Sequence, residues 1–515
     1  MIEITGGARA LRALALATAL LALATTRAEA APFLTDIEVR FIAIIAAATS
    51  SLDSMVIAVT DREGVPLAVF RKQRAPIVVP GNFGLLEDAN DVAVGLARTG
   101  AFFSNDQAPL SSRTVRFISG IHFPPGVRNR PPAALYGIEN TNRGCTFNTV
   151  FNAGKNIRPA TSLNGLPCNS TDQRGCGTGI VTGKSSLDDA VPTVNGGGVP
   201  IFKDGHVVGG IGVTGVPAAI AETAALVGSV LGLTNDRFGP RPADPGVIFL
   251  DGIRLPFVIV NIPPALQPLG NLGRFVLQPR TSPRRAAGVP EGWLVGPRTS
   301  ATLTAAQVRA IVNNAVAQAN RTRAAIRLPL GSATRMVIAV TDLSGEILGL
   351  FRMPDAMVFS IDVAVAKARN VIYFSSTTRD PDDLEGVPPG TAVTNRTIGF
   401  GAQPLYPPGI DETEPGPFFP LFVDDVANPC SQGSEPPNPN QSGIVFFPGS
   451  MPLYRNGRLI GGLGVSGDGV EQDDLVAAAG ATPGFAPPLA IRADRVFVLG
   501  LRLPFVKFPR NPEVR

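Results

Sequence analysis

Histidine is nearly missing from this chain: there are two in 515 residues, His122 and His206. That scarcity excludes a histidine-rich metal centre. It also excludes a histidine-dependent hydrolase in the second half, which has no histidine at all. Gly464-Val465-Ser466-Gly467-Asp468 is no nucleophile elbow, because Asp468 stands where the motif needs a second glycine. Cysteine is scarce as well, at four, and the spacing of Cys145, Cys168, Cys176 and Cys430 fits neither a zinc ribbon nor a C-x-x-C-H haem attachment site. Charged residues make up 17% of the chain, the formal net charge is +4, and no dense basic run occurs, so nucleic acid is not an expected partner. Beyond the first thirty residues no apolar run approaches the roughly 20 residues that span a bilayer.

What is present describes a globular protein of more than one domain. Hydrophobic residues reach 44%, and 56 glycines with 48 prolines imply many turns and long loops. Residues 1–30 have the layout of a secretory signal peptide. Arg9 and Arg12 form a basic region, Ala13 to Thr25 is apolar, and Ala28-Glu29-Ala30 is a small-residue cleavage site. A secreted or periplasmic location is therefore expected. An even cysteine count in an exported chain suggests two disulfides, and three pairings remain open. If both form, Cys430 must reach from the second half into the insertion that holds the other three.

The chain repeats itself. MVIAVTDREGVPLAVFR from Met55 matches MVIAVTDLSGEILGLFR from Met336. In the same order follow DVAVGLAR from Asp91 with DVAVAKAR from Asp362, and Arg113-Thr114 with Arg396-Thr397. GVPIFKDGHVVGGIGVTG from Gly198 then matches SMPLYRNGRLIGGLGVSG from Ser450, and GIRLPFV from Gly252 matches GLRLPFV from Gly500. Each Asp-x-x-Gly reads as a hairpin turn, as do Lys203-Asp204-Gly205 and Arg455-Asn456-Gly457. Thr35 and Thr304 are expected helix caps, with Ala305 to Asn320 the helix in the second unit. Further helices are expected near Asp91–Phe102 and Asp362–Phe374. These elements predict two tandem α+β domains, each an antiparallel sheet flanked by helices. The first covers 31–279 with a long insertion at about 128–195, and the second covers 301–515. Between them 280–300 reads as a linker rich in Pro, Gly and Arg, with Trp293 as its anchor. The near-complete duplication suggests an intramolecular pseudo-dimer in place of a homo-oligomer. The glycines of GGIGVTG and GGLGVSG lie inside a strand, so they indicate close backbone packing and not dinucleotide binding.

The segments VIAVTDLSGEILGLFRM from Val337, SIDVAVAKA from Ser360, MPLYRNGRLIGGLGVSG from Met451 and Glu471-Gln472-Asp473 resemble the GlcG/HbpS-like haem-binding (haem-degrading domain) family. The first unit resembles it less, with Leu96 at the Lys367 position. The resemblance implies a profilin-like domain in each copy and oligomers. For some members it implies haem binding linked to haem breakdown or redox sensing.

Haem as a cofactor needs an axial ligand and cations for its propionates. His122 and His206 are the histidine candidates, although each also reads as an ordinary loop histidine. Their counterparts are Leu405 and Arg458. Met353 and Met357, and the tyrosines 136, 373, 406 and 454, read first as packing residues. Arg352, Lys367 and Arg396 are the cationic candidates, and their alternative role is pairing with Asp61, Asp342 or Asp362. No residue is assigned a catalytic role, and the metal is left unassigned: Glu471, Asp473 and Asp474 offer carboxylates for a cation but read first as an acidic helix start. Two functions remain open: an exported haem- or tetrapyrrole-binding protein with a redox-sensing or haem-degrading role, or a non-enzymatic scaffold or small-ligand binder that has lost haem.

Overall fold

The computed structural model describes residues 32–143, 145, 179–183, 194–231, 248–260, 266–270, 272–282, 289–482 and 484–514. The expected leader, Cys168, Cys176 and most of the 128–195 insertion lie outside the described residues.

The first half opens with α1 (Asp36–Ala48), whose start is fixed by a capping box. The Thr35 hydroxyl accepts from the Glu38 amide, and the Glu38 carboxylate accepts from the Thr35 amide. The hairpin β1 (Val56–Asp61) and β2 (Pro66–Lys72) follows. Its turn closes because the Asp61 carboxylate accepts from the amides of Glu63 and Val65. Then come α2 (Ala89–Phe103), α3 (Ser112–Phe117), β3 (Gly198–Lys203), β4 (His206–Thr214), α4 (Ala218–Leu231) and β5 (Gly273–Leu277). The turn from β3 to β4 places Asp204 and Gly205 at φ of 53° and 82°, the left-handed conformation that an Asp-Gly hairpin requires.

The second half repeats the plan. It runs β6 (Gly292–Val295), α5 (Ala305–Ala319), β7 (Val337–Thr341), β8 (Ile347–Arg352), α6 (Ser360–Phe374), α7 (Asn395–Gly401), α8 (Phe419–Ala427), β9 (Ser450–Arg455), β10 (Arg458–Ser466) and α9 (Val470–Ala481). The Thr304 cap is formed as expected, with Gln307 completing the box.

Each half builds an antiparallel five-stranded sheet, ordered β3-β4-β1-β2-β5 and β6-β8-β7-β10-β9. The central pairings share one register: Val56 faces Arg71 and Thr214, and Val337 faces Arg352 and Ser466. The edge strand β5 ends the first half, and the edge strand β6, within 280–300, opens the second. The stretch read as a linker therefore contains an edge strand, in which Trp293 packs edge-on against Phe351 at 5.2 Å. Four residues among prolines and glycines carry too short a pattern to announce a strand.

The sheets are covered on both faces. α2 lies on one face of the first sheet, and α1 packs with α4 on the other. α6 and the α5–α9 pair do the same for the second sheet. The strand glycines explain how α6 sits so close. A methyl group on Gly462 would overlap the Ala368 carbonyl oxygen, and one on Gly464 would overlap that of Ala364. Gly210 and Gly212 meet Ala97 and Ala93 in the same way. Helix backbone rests on strand backbone, so no side chain fits between them.

The halves are in contact. Phe103 stacks on Phe359 with ring centres 4.1 Å apart, and the Val358 amide donates to the Phe102 carbonyl at 3.0 Å. Arg327 is buried and donates to Asp468 (2.9 Å) and Asp355 (2.6 Å) in its own half and to Gln107 (2.9 Å) in the other. Cys145 and Cys430 form a disulfide across the halves, one of the pairings the sequence left open. No helix among the described residues is long and apolar enough to cross a membrane.

Gly464→Ala is expected to lower unfolding free energy by about 2–4 kcal/mol, because the added methyl must push α6 off the sheet. Gly296→Ala, at an exposed position with open space, should stay within about 0.5 kcal/mol. Urea denaturation of both variants checks the contrast, and equal stabilities would contradict the close-packing account.

Candidate functional site

The residues expected to hold a cofactor fall into three places. Lys367 and Arg396 share a buried polar tract in the second half. Lys367, fully buried on α6, donates from Nζ to the Val465 carbonyl (2.9 Å) and to Asp473 Oδ2 (3.0 Å). The Phe447 ring centre lies 4.8 Å from that ammonium. Arg396 bonds to Asp474, which also accepts from the amides of Gly449 and Lys507, each at 3.0 Å. Burial pushes the Lys367 ammonium down from its ordinary pKa, and the Asp473 charge acts against that shift. Burial likewise pushes Asp473 up to about 7, opposed by Lys367. Both groups are desolvated, and their pairing keeps each from standing alone.

The first half repeats one of these pairs and lacks the other. Arg113 Nε lies 2.6 Å from Glu222 Oε1, and the Ile259 amide donates to Glu222 Oε2, matching Arg396, Asp474 and Lys507. Leu96 and Ala221 stand where Lys367 and Asp473 stand in the second half. Both members of the ion pair are replaced together, so no buried charge is left without its partner.

The expected carboxylate partners are not the observed ones. Asp61 and Asp342 fold back onto the amides of their own turns, Asp61 as above and Asp342 on Ser344 and Glu346. A short side chain at the head of a tight turn reaches its own backbone before any distant cation. Arg352 instead donates to the carbonyls of Val289, Pro290 and Ala356. Lys367 and Arg396 pair instead with Asp473 and Asp474, neighbours in the first turns of α9.

His122 lies in a second place. It is buried, with Nε2 2.6 Å from Asp411 Oδ1 in the other half, and Arg128 joins the same carboxylate at 3.0 Å.

The third place is a cleft of about 380 Å³ between the halves, lined by residues of both. It brings together His206 and Arg352, which the sequence separates by 146 positions. His206 stands at the head of β4, directly after the Asp-Gly turn, and is exposed. Its Nδ1 lies 2.6 Å from Asp106 Oδ2, while Asp106 Oδ1 accepts the Val207 amide at 2.9 Å. A carboxylate on Nδ1 fixes the orientation of the ring. Phe33, Val207, Val208, Val289 and Pro354 give apolar walls. Arg62 and Asp355 also line the cleft. Burial lowers Arg352 to about 10, with Arg62 adding to the shift and Glu291 opposing it.

Sequence reasoning passed over Arg62, Asp106 and Asp355. The one signal for Arg62 was the difference between the Asp-Arg-Glu-Gly turn and its Asp-Leu-Ser-Gly counterpart. Among the described residues no group of three or more His, Cys, Asp or Glu side chains is placed to hold a metal ion. The other axial candidates are occupied or enclosed. Met353 and Met357 are buried, with Met353 Sδ accepting the Met336 amide, and Tyr373 bonds to Asp383.

Comparison with known proteins places the second half. A family model described as "Haem degrading protein HbpS-like" matches residues 303–482. An uncharacterized 15.0 kDa protein from the dhaT-dhaS intergenic region of Citrobacter freundii is 31% identical over 142 residues, covering 28% of this chain and 70% of that protein. Corrinoid adenosyltransferase PduO of Salmonella typhimurium is 28% identical over 156 residues, covering 30% of this chain. The chain spans only 34% of the length of that PduO. Among solved structures, a PduOC:haem complex is 22% identical, covering 35% of this chain and 93% of that one, with a TM-score of 0.23. A double mutant of Streptomyces reticuli HbpS is 20% identical, covering 36% and 87%, with a TM-score of 0.22.

Lys367→Leu alone is expected to cost about 3–5 kcal/mol, since it leaves Asp473 buried without its cation. Adding Asp473→Ala copies the first half's Leu96 and Ala221 and should recover most of that loss. Chemical denaturation of the wild type, both single variants and the double variant measures the coupling. Additive losses would show that the pair does not act as a unit.

Proposed function

The chain belongs to the HbpS-like haem-degrading protein family, and on that premise we propose that it is an exported protein that binds haem or a related tetrapyrrole in the cleft between its halves. The observation that carries this reading is His206, exposed at the cleft with its Nδ1 held by Asp106. The cleft's roughly 380 Å³ falls in the range of ligand pockets, and its lining sets an apolar wall of prolines, valines and Phe33 beside a charged one in which Arg62, Arg352 and His206 face five carboxylates. His206 would hold the iron through Nε2, with Asp106 keeping the ring in position. Bound there, haem would supply a redox-active iron, the chemistry that a redox-sensing or haem-degrading role needs. Arg352 holds the Val289–Pro290 wall and the 353–356 turn by its bonds to backbone carbonyls. Lys367 and Arg396 keep the second half's helices docked, and His122 ties the halves together.

We read the first half as a diverged copy of the same profilin-like domain, with the two halves taking the place of a homodimer. The shared strand order, the shared register and the Arg113–Glu222 counterpart of Arg396–Asp474 support this. Export is supported by the layout of residues 1–30 and by the Cys145–Cys430 disulfide, a bond that persists in oxidising compartments. The scaffold alternative draws on the first half, where Leu96 and Ala221 replace the ion pair that the family-like half retains.

Titration of the purified protein with haemin, followed in the Soret region, tests the reading. A saturable Soret shift is expected. His206→Ala should weaken binding at least about tenfold, whereas His122→Ala should leave the spectrum of the bound state unchanged. No Soret change in the wild type would overturn tetrapyrrole binding and favour the scaffold.

A further inference from the structure

Most charged groups around the cleft are already committed. Asp61 accepts the amides of Glu63 and Val65, and Asp106 accepts the Val207 amide and faces His206 Nδ1. Glu291 accepts the Asp355 amide at 2.8 Å. Asp355 accepts the Asp106 amide and Arg327 Nη1. Arg352 is spent on the three carbonyls named above.

Arg62 is the exception. It sits in the β1–β2 turn, lines the cleft and is 9% exposed. Its Nη2 donates to the Ser104 carbonyl at 2.8 Å, which anchors the side chain. Its Nη1 is buried and has no hydrogen-bond partner. A buried guanidinium nitrogen with no acceptor is unfavourable, and a planar fork with one arm fixed and the other open is arranged to receive an anion. Asp61, Glu63, Asp106, Glu291 and Asp355 also line the cleft, yet none of them places an oxygen within hydrogen-bond distance of Nη1. The second half has nothing equivalent, because Leu343 occupies the matching turn position and is exposed. This feature therefore belongs to the cleft and not to the repeated domain.

We infer that Arg62 Nη1 is the seat of a ligand carboxylate, so that the cleft takes an amphipathic ligand with its apolar body against Phe33, Val207, Val208 and Pro354 and its acid group on Arg62. For the tetrapyrrole this inference rests on the function proposed above, and the acid group would then be a propionate. A small free carboxylic acid offers the same chemistry.

The test compares haemin with haemin dimethyl ester by Soret titration, and adds succinate followed by thermal shift. Each probe is applied to the wild-type protein, Arg62→Met and Arg62→Lys. If the inference holds, haemin binds the wild type at least about tenfold more tightly than the ester, as a charge-assisted hydrogen bond would give. Arg62→Met closes that gap, and Arg62→Lys, which keeps the charge, restores part of it. Arg62→Lys also covers the case in which Arg62→Met fails to fold. If neither tetrapyrrole binds but succinate stabilises the wild type and not Arg62→Met, the carboxylate seat stands and the tetrapyrrole reading falls. If haemin and its ester bind equally to all three proteins, the seat is overturned and tetrapyrrole binding stands. No response to any probe overturns both.

Discussion

The buried guanidinium of Arg327 sets how the two halves meet. It bonds Asp468 and Asp355 within the second half and Gln107 of the first. A charge this enclosed is tolerated only when its donors are taken up, and here partners from both halves do so. Asp355 is therefore held in place, and its other oxygen receives the Asp106 amide. Asp106 in turn holds His206. One chain of hydrogen bonds runs from a core arginine of the second half to the exposed histidine of the first. The cleft is a product of that docking, since neither half alone supplies its lining.

The same logic explains why the halves diverged where they did. Positions that hold the fold are under backbone constraint. Gly210, Gly212, Gly462 and Gly464 admit no side chain because a helix rests on each pair. Asp61 and Asp342 close equivalent turns, and Arg98 and Arg369 donate to the equivalent carbonyls of Gly64 and Gly345. Positions constrained only by each other can change in pairs, as Lys367 and Asp473 against Leu96 and Ala221 show. Turn positions that face the other half are freer still. Arg62 and Leu343 differ because one turn faces the cleft and the other is exposed.

Function follows from that asymmetry. The family-like half retains its buried ion pairs, which dock helices and face no open space. Within the cleft, His206 and Arg62 both come from the first half, which departs further from the family pattern. The second half contributes Arg352, Glu291, Pro354 and Asp355, which complete the cleft.

The hairpins, the helix caps at Thr35 and Thr304, and the repeat itself were legible in the sequence, because each is a local rule acting within a few residues. So was the meaning of the strand glycines, since a glycine within a strand already signals close backbone approach. The partners of the buried cations were not legible. Lys367 meets Asp473 across 106 positions, and Arg396 meets Asp474 across 78. No periodicity encodes which of several acids a folded chain brings to a given cation. The edge strand holding Trp293 escaped notice because four residues carry no usable period. The cleft lay furthest out of reach. His206 and Arg352 were both named as candidates, but only the docking of the two halves decided that they line one cavity and that His122 does not. Local chemistry fixed the two sheets, and the long-range pairing of buried charges decided what lies between them.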